Sequence, residues 1–177
     1  MKNTVSYWQM VGFFFVAIIG TLLHFLQDWT GGNQVVAQFS AVNESIWEHL
    51  KLLYYPTMGF AVAEYLAWGR DVSSFWWVKL IGILLGLTLI PVVYYTYTGI
   101  LGVNVDWLNV AIFFLVDGLV FWAESKLFER NFTCRINPRI AVLFAGLLAV
   151  LFVVFTFRPP HIPLFQDPMT HTYGIPQ

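Results

Sequence analysis

The sequence predicts an all-α membrane protein: a five-helix transmembrane bundle, N-in/C-out, with an ordered proline-rich C-terminal tail on its outer face. Three observations carry this. The chain is 58% hydrophobic and only 11% charged, less than half of the about 25% charge of an ordinary soluble domain. Its apolar residues collect in five runs long enough to cross a bilayer, which takes roughly 17–25 helical residues. Trp8, Trp29, Trp47, Trp68, Trp76, Trp77 and Trp107 fall at the ends of those runs, where headgroups favour aromatic rings.

The runs follow in order. The first, at 8–26, is followed by GTLLHFLQDW and no small-x-small cleavage pattern, so it reads as a retained helix rather than a signal peptide. The second, at 46–68, opens within FSAVNESIWEHLKLLYYP (39–56), the most charge-dense stretch of the chain. Ser45 and Glu48 have capping-box spacing there, and an acid in a first turn suits the helix dipole. The third, at 75–97, contains Pro91, which a membrane helix tolerates because its neighbours re-satisfy the freed carbonyl. The fourth, at 107–128, carries Asp117 near its middle, and the fifth is 140–157. Residues 1–158 thus form one transmembrane domain. Residues 159–177 form an extracytoplasmic tail whose prolines limit the entropy lost when it folds back.

Positive charge sets the orientation. With the N-terminus in the cytoplasm, Lys2, Arg70, Lys79, Lys126, Arg130, Arg135 and Arg139 lie on the inner side, and only Lys51 and Arg158 on the outer. All four histidines then fall on the outer half, with Asp28, Glu44, Glu48, Asp106 and Asp167. The net charge of -1 gives no footprint for nucleic acid, so membrane lipid is the expected partner. The single cysteine, Cys134, excludes an internal disulfide and a cysteine-rich metal site.

The outer acids and histidines are the candidate site. Glu44 and Glu48 are spaced i,i+4, as are His24 and Asp28 on the preceding helix. Antiparallel neighbours would let the two pairs converge. His24, Asp28, Glu44 and Glu48 are therefore the expected ligands of a divalent metal such as zinc, since carboxylate and imidazole suit Zn, Mn or Fe. Without metal, Glu48, His49, His24 and Glu44 could serve as acid and base. Glu48 and His49 lie about 100° apart around a helix, so only one can face a given point squarely. Lys51, Asp106, Asn109, Asp117, His161 and Asp167 are expected around the same pocket, with the tail bringing His161 or Asp167 over it. Asp106 and Asn109 would begin a polar track towards Asp117, an intramembrane carboxylate and so a functional candidate. Glu64 and Lys79 read as a structural ion pair, and Glu124 and Lys126 as inner-interface anchors. The plainer account is that the outer cluster merely caps helices and fastens their ends.

HFLQDW (24–29), VNESIWEHLKLLYYP (42–56), YTYTG (95–99) and PPHIPLFQDP through YGI (159–175) resemble a family of small bacterial integral-membrane proteins of unknown function. The resemblance spans most of the chain. It implies a bacterial plasma-membrane protein in which Glu44, Glu48, His49, Lys51, Pro163 and Asp167 belong to the family pattern. It also implies a glycine where His171 stands, which argues against chemistry at that histidine. The layout of HFLQD before a glutamate-bearing helix is also similar to the sterol-isomerase and sigma-2-receptor type of membrane fold.

Three function classes remain open on the sequence. One is an enzyme acting on a lipid or small amphiphile, by acid–base or metal-assisted chemistry. Another is an ion or small-solute transporter using Asp117; with five helices and no repeat, it would have to oligomerise. The third is an accessory subunit without catalysis.

Overall fold

A computed structural model describes residues 2–175. Five helices follow one another: α1 (Lys2–Trp29), α2 (Ile46–Ala67), α3 (Phe75–Leu101), α4 (Asp106–Glu129) and α5 (Pro138–Phe157). Single 3₁₀ turns cover Val36–Gln38, Gly69–Asp71 and Pro163–Phe165. Among the described residues there is no strand, only one isolated bridge between Gln166 and Tyr173. The last two residues of the expected tail, 176 and 177, lie outside the described part.

Four helices, α1, α3, α4 and α5, are long and apolar enough to cross a membrane. The sequence reading expected five. The difference is α2, which carries Glu48, Lys51 and Glu64 and is diluted in hydropathy by them. All three are buried, so its polarity is turned into the protein.

Helices α1 to α4 form a ring, each touching the next and α4 closing on α1, while α5 lies outside against α2 and α3. Close approach is possible where side chains vanish. A methyl group on Gly20 would meet the Leu52 carbonyl oxygen at 2.7 Å and the Phe113 ring at 2.8 Å. Apolar residues from all five helices, among them Val16, Leu53, Ile83, Val116 and Phe152, form one core. Each helix runs opposite to its predecessor in the chain. One end of the bundle thus gathers the C-terminal turns of α1, α3 and α5, the N-terminal turns of α2 and α4, and the tail.

A polar cluster sits inside the other half. Lys79 (α3) lies 2.5 Å from Glu124 Oε2 (α4) and pairs also with Glu64 (α2). Gln9 (α1) donates to Glu64 Oε1 at 2.7 Å. One group from each ring helix meets there, and all four are buried. Glu124 is therefore not the interface anchor the sequence suggested, and Lys126 pairs with Glu129 at 2.8 Å instead. Such a net costs desolvation, yet breaking it by removing one partner strands a buried charge. It fixes which face each helix turns inward.

Candidate functional site

Ser45 caps α2, its Oγ accepting from Glu48 N–H at 3.4 Å. Helical rotation of about 100° per residue then sends Glu48 and His49 in different directions. Glu48 turns toward α5. Its Oε2 is 2.5 Å from Lys51 Nζ and accepts Val42 N–H at 3.1 Å, and its Oε1 accepts from Thr156 Oγ at 2.9 Å. Lys51 donates further to the Ala37 carbonyl and to Thr156, both at 2.8 Å. Every polar group in this closed, buried set is used internally.

His49 turns toward α1. Its Nδ1 lies 2.9 Å from the Ser45 carbonyl oxygen. A carbonyl only accepts, so Nδ1 carries the proton and the neutral ring offers its Nε2 lone pair. That Nε2 stands 3.2 Å from His24 Nε2 and 3.5 Å from Glu44 Oε2, and His24 Nε2 is 3.8 Å from the same carboxylate oxygen. The His24 imidazole, with help from His49, holds the Glu44 carboxyl below the usual carboxylate range. A backbone acceptor behind a ligating histidine is the usual arrangement at metal sites. Ligand atoms around a tetrahedral zinc at about 2.0–2.2 Å stand about 3.3–3.6 Å apart. The three atoms here nearly match that triangle, and the donor set of two imidazoles and one carboxylate suits zinc.

The triad forms part of the wall of a cavity of about 610 Å³. Gly20, Leu52, Ile90, Ile112 and Phe113 make its apolar body; Asn104, Asp106 and Asn109 make a second polar margin; Pro168 and Met169 of the tail border it. Asn109 accepts from Tyr97 and donates to Asn104 at 2.8 Å.

Several expected residues stand elsewhere. Glu48 does not join the triad, because Glu44 precedes the helix and i,i+4 spacing does not apply to it. Asp28 is exposed at the end of α1, a turn beyond His24, and its carboxylate is not in the group. Lys51 serves the Glu48 net. Asp117 is fully buried, neither carboxylate oxygen has a hydrogen-bond partner among the described residues, and it does not line the cavity. Asp106 and Asn109 line the cavity with Ile112 and Phe113, and the lining does not continue to Asp117 as the expected polar track would. His161 stacks on Tyr173, ring centres 4.5 Å apart, away from the triad.

Asp167 does reach the site region, through backbone. Its Oδ2 accepts Glu44 N–H at 3.3 Å, while Oδ1 accepts Met169 and Thr170 N–H at 2.7 and 3.1 Å. Asn43 Nδ2 donates to the Gly174 carbonyl at 2.8 Å, and Phe165 packs on Trp47. The tail is thereby clamped onto the loop that presents Glu44. Sequence reasoning missed Asn43 and Thr156 in these roles. A buried-type asparagine beside Glu44 was a usable signal; a lone threonine in α5 was not.

No curated protein and no solved structure matches the chain. Residues 1–175 match the model of DUF6512, a family of unknown function, and the chain belongs to that family.

Proposed function

We propose that the chain is an enzyme of the bacterial plasma membrane that acts on a lipid or small amphiphile, with one divalent metal, zinc by donor chemistry, held by His24, Glu44 and His49. The observation that carries this is the near-tetrahedral triangle of ligand atoms at the wall of an apolar cavity. Three protein ligands leave a fourth position, the hallmark of catalytic rather than structural zinc. A metal there would act as a Lewis acid on a polar group of the bound molecule. The cavity lies in the about 300–1,000 Å³ range of small-molecule sites, and its body is apolar enough for a hydrocarbon moiety.

In this reading all five helices span the membrane, α2 shielded by α1, α3 and α5, with the N-terminus inside. Lys2, Arg70, Lys126, Arg130, Arg135 and Arg139 belong to the helix ends and loops of one end. The cavity end has Arg158 as its accessible cation, Lys51 being buried. That asymmetry supports cavity-out topology.

The test is elemental analysis of the detergent-purified protein after equilibration with zinc and gel filtration. One zinc per chain is expected in wild type, with loss in Glu44→Gln and His49→Ala. Wild type without bound metal would overturn the metal centre.

A further inference from the structure

The cavity meets the tail at the end of the bundle and exposed apolar residues on its side. Towards the end of the bundle it is bordered by Pro168 and Met169, on a tail held by the Asp167 and Asn43 hydrogen bonds. Deeper in the bundle α1 and α4 are in tight contact, Gly20 against the Phe113 ring and Gly12 against Phe121. Thr21 and Phe25 of α1 and Val110 and Phe114 of α4 line the cavity and are also exposed on the outer surface, Phe25 by 46% and Val110 by 56%. The opening faces the flank of the bundle.

Depth places the triad. Helix α1 has 28 residues, about 42 Å at 1.5 Å per residue, which matches the about 40–45 Å of a bilayer with its headgroups. His24 stands five residues from the α1 end, about 7–8 Å inward. That is the boundary between headgroup and hydrocarbon, where a lipid carries the linkage joining its two parts. From there the apolar body of the cavity runs inward along Leu52, Ile90 and Ile112.

We infer that the cavity receives one acyl chain of a bilayer lipid, which enters sideways between α1 and α4 and sets the lipid's headgroup linkage beside His24, Glu44 and His49. This deepens the proposed function by naming its substrate class and rests on that reading for the role of the triad. The flank opening selects molecules already dissolved in the membrane. The tail narrows the aqueous side without sealing it, Met169 being 69% exposed.

The full-length protein in phosphatidylcholine vesicles tests this, with a minor fraction of phosphatidylcholine bearing a diazirine at the end of one acyl chain. After irradiation, adducts are mapped by peptide mass spectrometry, and zinc content is measured on the same samples. Adducts are expected on Leu52, Ile90 or Ile112, which are at most 6% exposed and reachable through the cavity. Thr21→Trp with Val110→Trp should narrow the opening and cut these adducts several-fold with zinc content unchanged. Phe25→Ala should widen it and raise them. Adducts confined to outward positions such as Leu143 and Val150, or floor adducts unaffected by either variant, would overturn the inference. Zinc bound without floor adducts refutes this inference alone; floor adducts without zinc refute the metal centre alone.

Discussion

Asp167 Oδ2 accepts the backbone N–H of Glu44, joining residues 123 positions apart. The carboxylate that presents one corner of the triad is thus aimed by the tail. Asp167→Ala removes acceptors from Glu44, Met169 and Thr170 N–H at once, and each of these part-buried hydrogen bonds contributes about 0.5–1.5 kcal/mol. The expected outcome is a lower melting temperature together with weaker zinc retention. Full zinc retention in the mutant would show that the clamp does not orient Glu44.

Glu48 and Lys51 are coupled to each other and decoupled from the triad. Lys51→Met should destabilise by about 3–5 kcal/mol, the cost of breaking a buried pair. The double variant with Glu48→Gln should cost less than the two single changes added together. Glu48→Gln alone should leave zinc content at the wild-type level. Thermal melts and metal analysis of the three variants check both statements, and zinc loss in Glu48→Gln would contradict the geometry.

Acid should weaken the triad in a definite direction. Contact with His24 lowers the Glu44 pKa, so its contribution to stability is present above the unfolded carboxyl value of about 4.3. It is lost as pH falls through the lower folded value. Metal affinity should fail earlier on the same descent, because imidazole as a class takes up protons at higher pH than a carboxylate does, and those protons compete with the ion. Zinc retention against pH should therefore drop before the melting temperature does. In Glu44→Gln the acid-side loss of stability should shrink.

His171 has φ 58°, in the left-handed region that costs a non-glycine residue roughly 1–2 kcal/mol. The glycine implied by the family resemblance at this position now has a backbone reason. His171→Gly should raise thermal stability modestly, the relief being offset in part by unfolded-chain entropy, and His171→Val should lower it. Differential scanning fluorimetry distinguishes these signs, and zinc content should not change in either variant.

Much of the fold is legible in the sequence because hydropathy and helix length report the same constraint. The helix starts at Ile46 and Phe75 coincide with the expected starts, and α1 and α3 run a few residues past theirs because their ends remain helical beyond the apolar run. Glu64 with Lys79 was readable as a pair from depth alone. Glu124 was not, since nothing local reveals that a third helix turns its carboxylate onto the same ammonium. At the site, His24, Glu44 and His49 were all among the candidates. Their grouping was obscured by treating Glu44 as helical, when the helix begins two residues later. Asp117 was marked by its depth, and its solitude inside the bundle is a property of packing that no spacing rule conveys.

The cluster of Gln9, Glu64, Lys79 and Glu124 has a consequence for how the protein is made. Helix α2 is too polar to settle in lipid by itself, and Lys79 and Glu124 arrive on separate helices later in the chain. Each charge finds its partner only when its neighbours are present. On the five-span topology proposed above, insertion of α2 is therefore cooperative with α1 and α3, held at the translocation machinery or in a protein-lined space until α4 closes the ring. With the ribosome stalled before residue 124 has emerged, a cysteine in place of the buried Thr57 of α2 should react with a water-soluble maleimide, and with it stalled beyond α4 it should not.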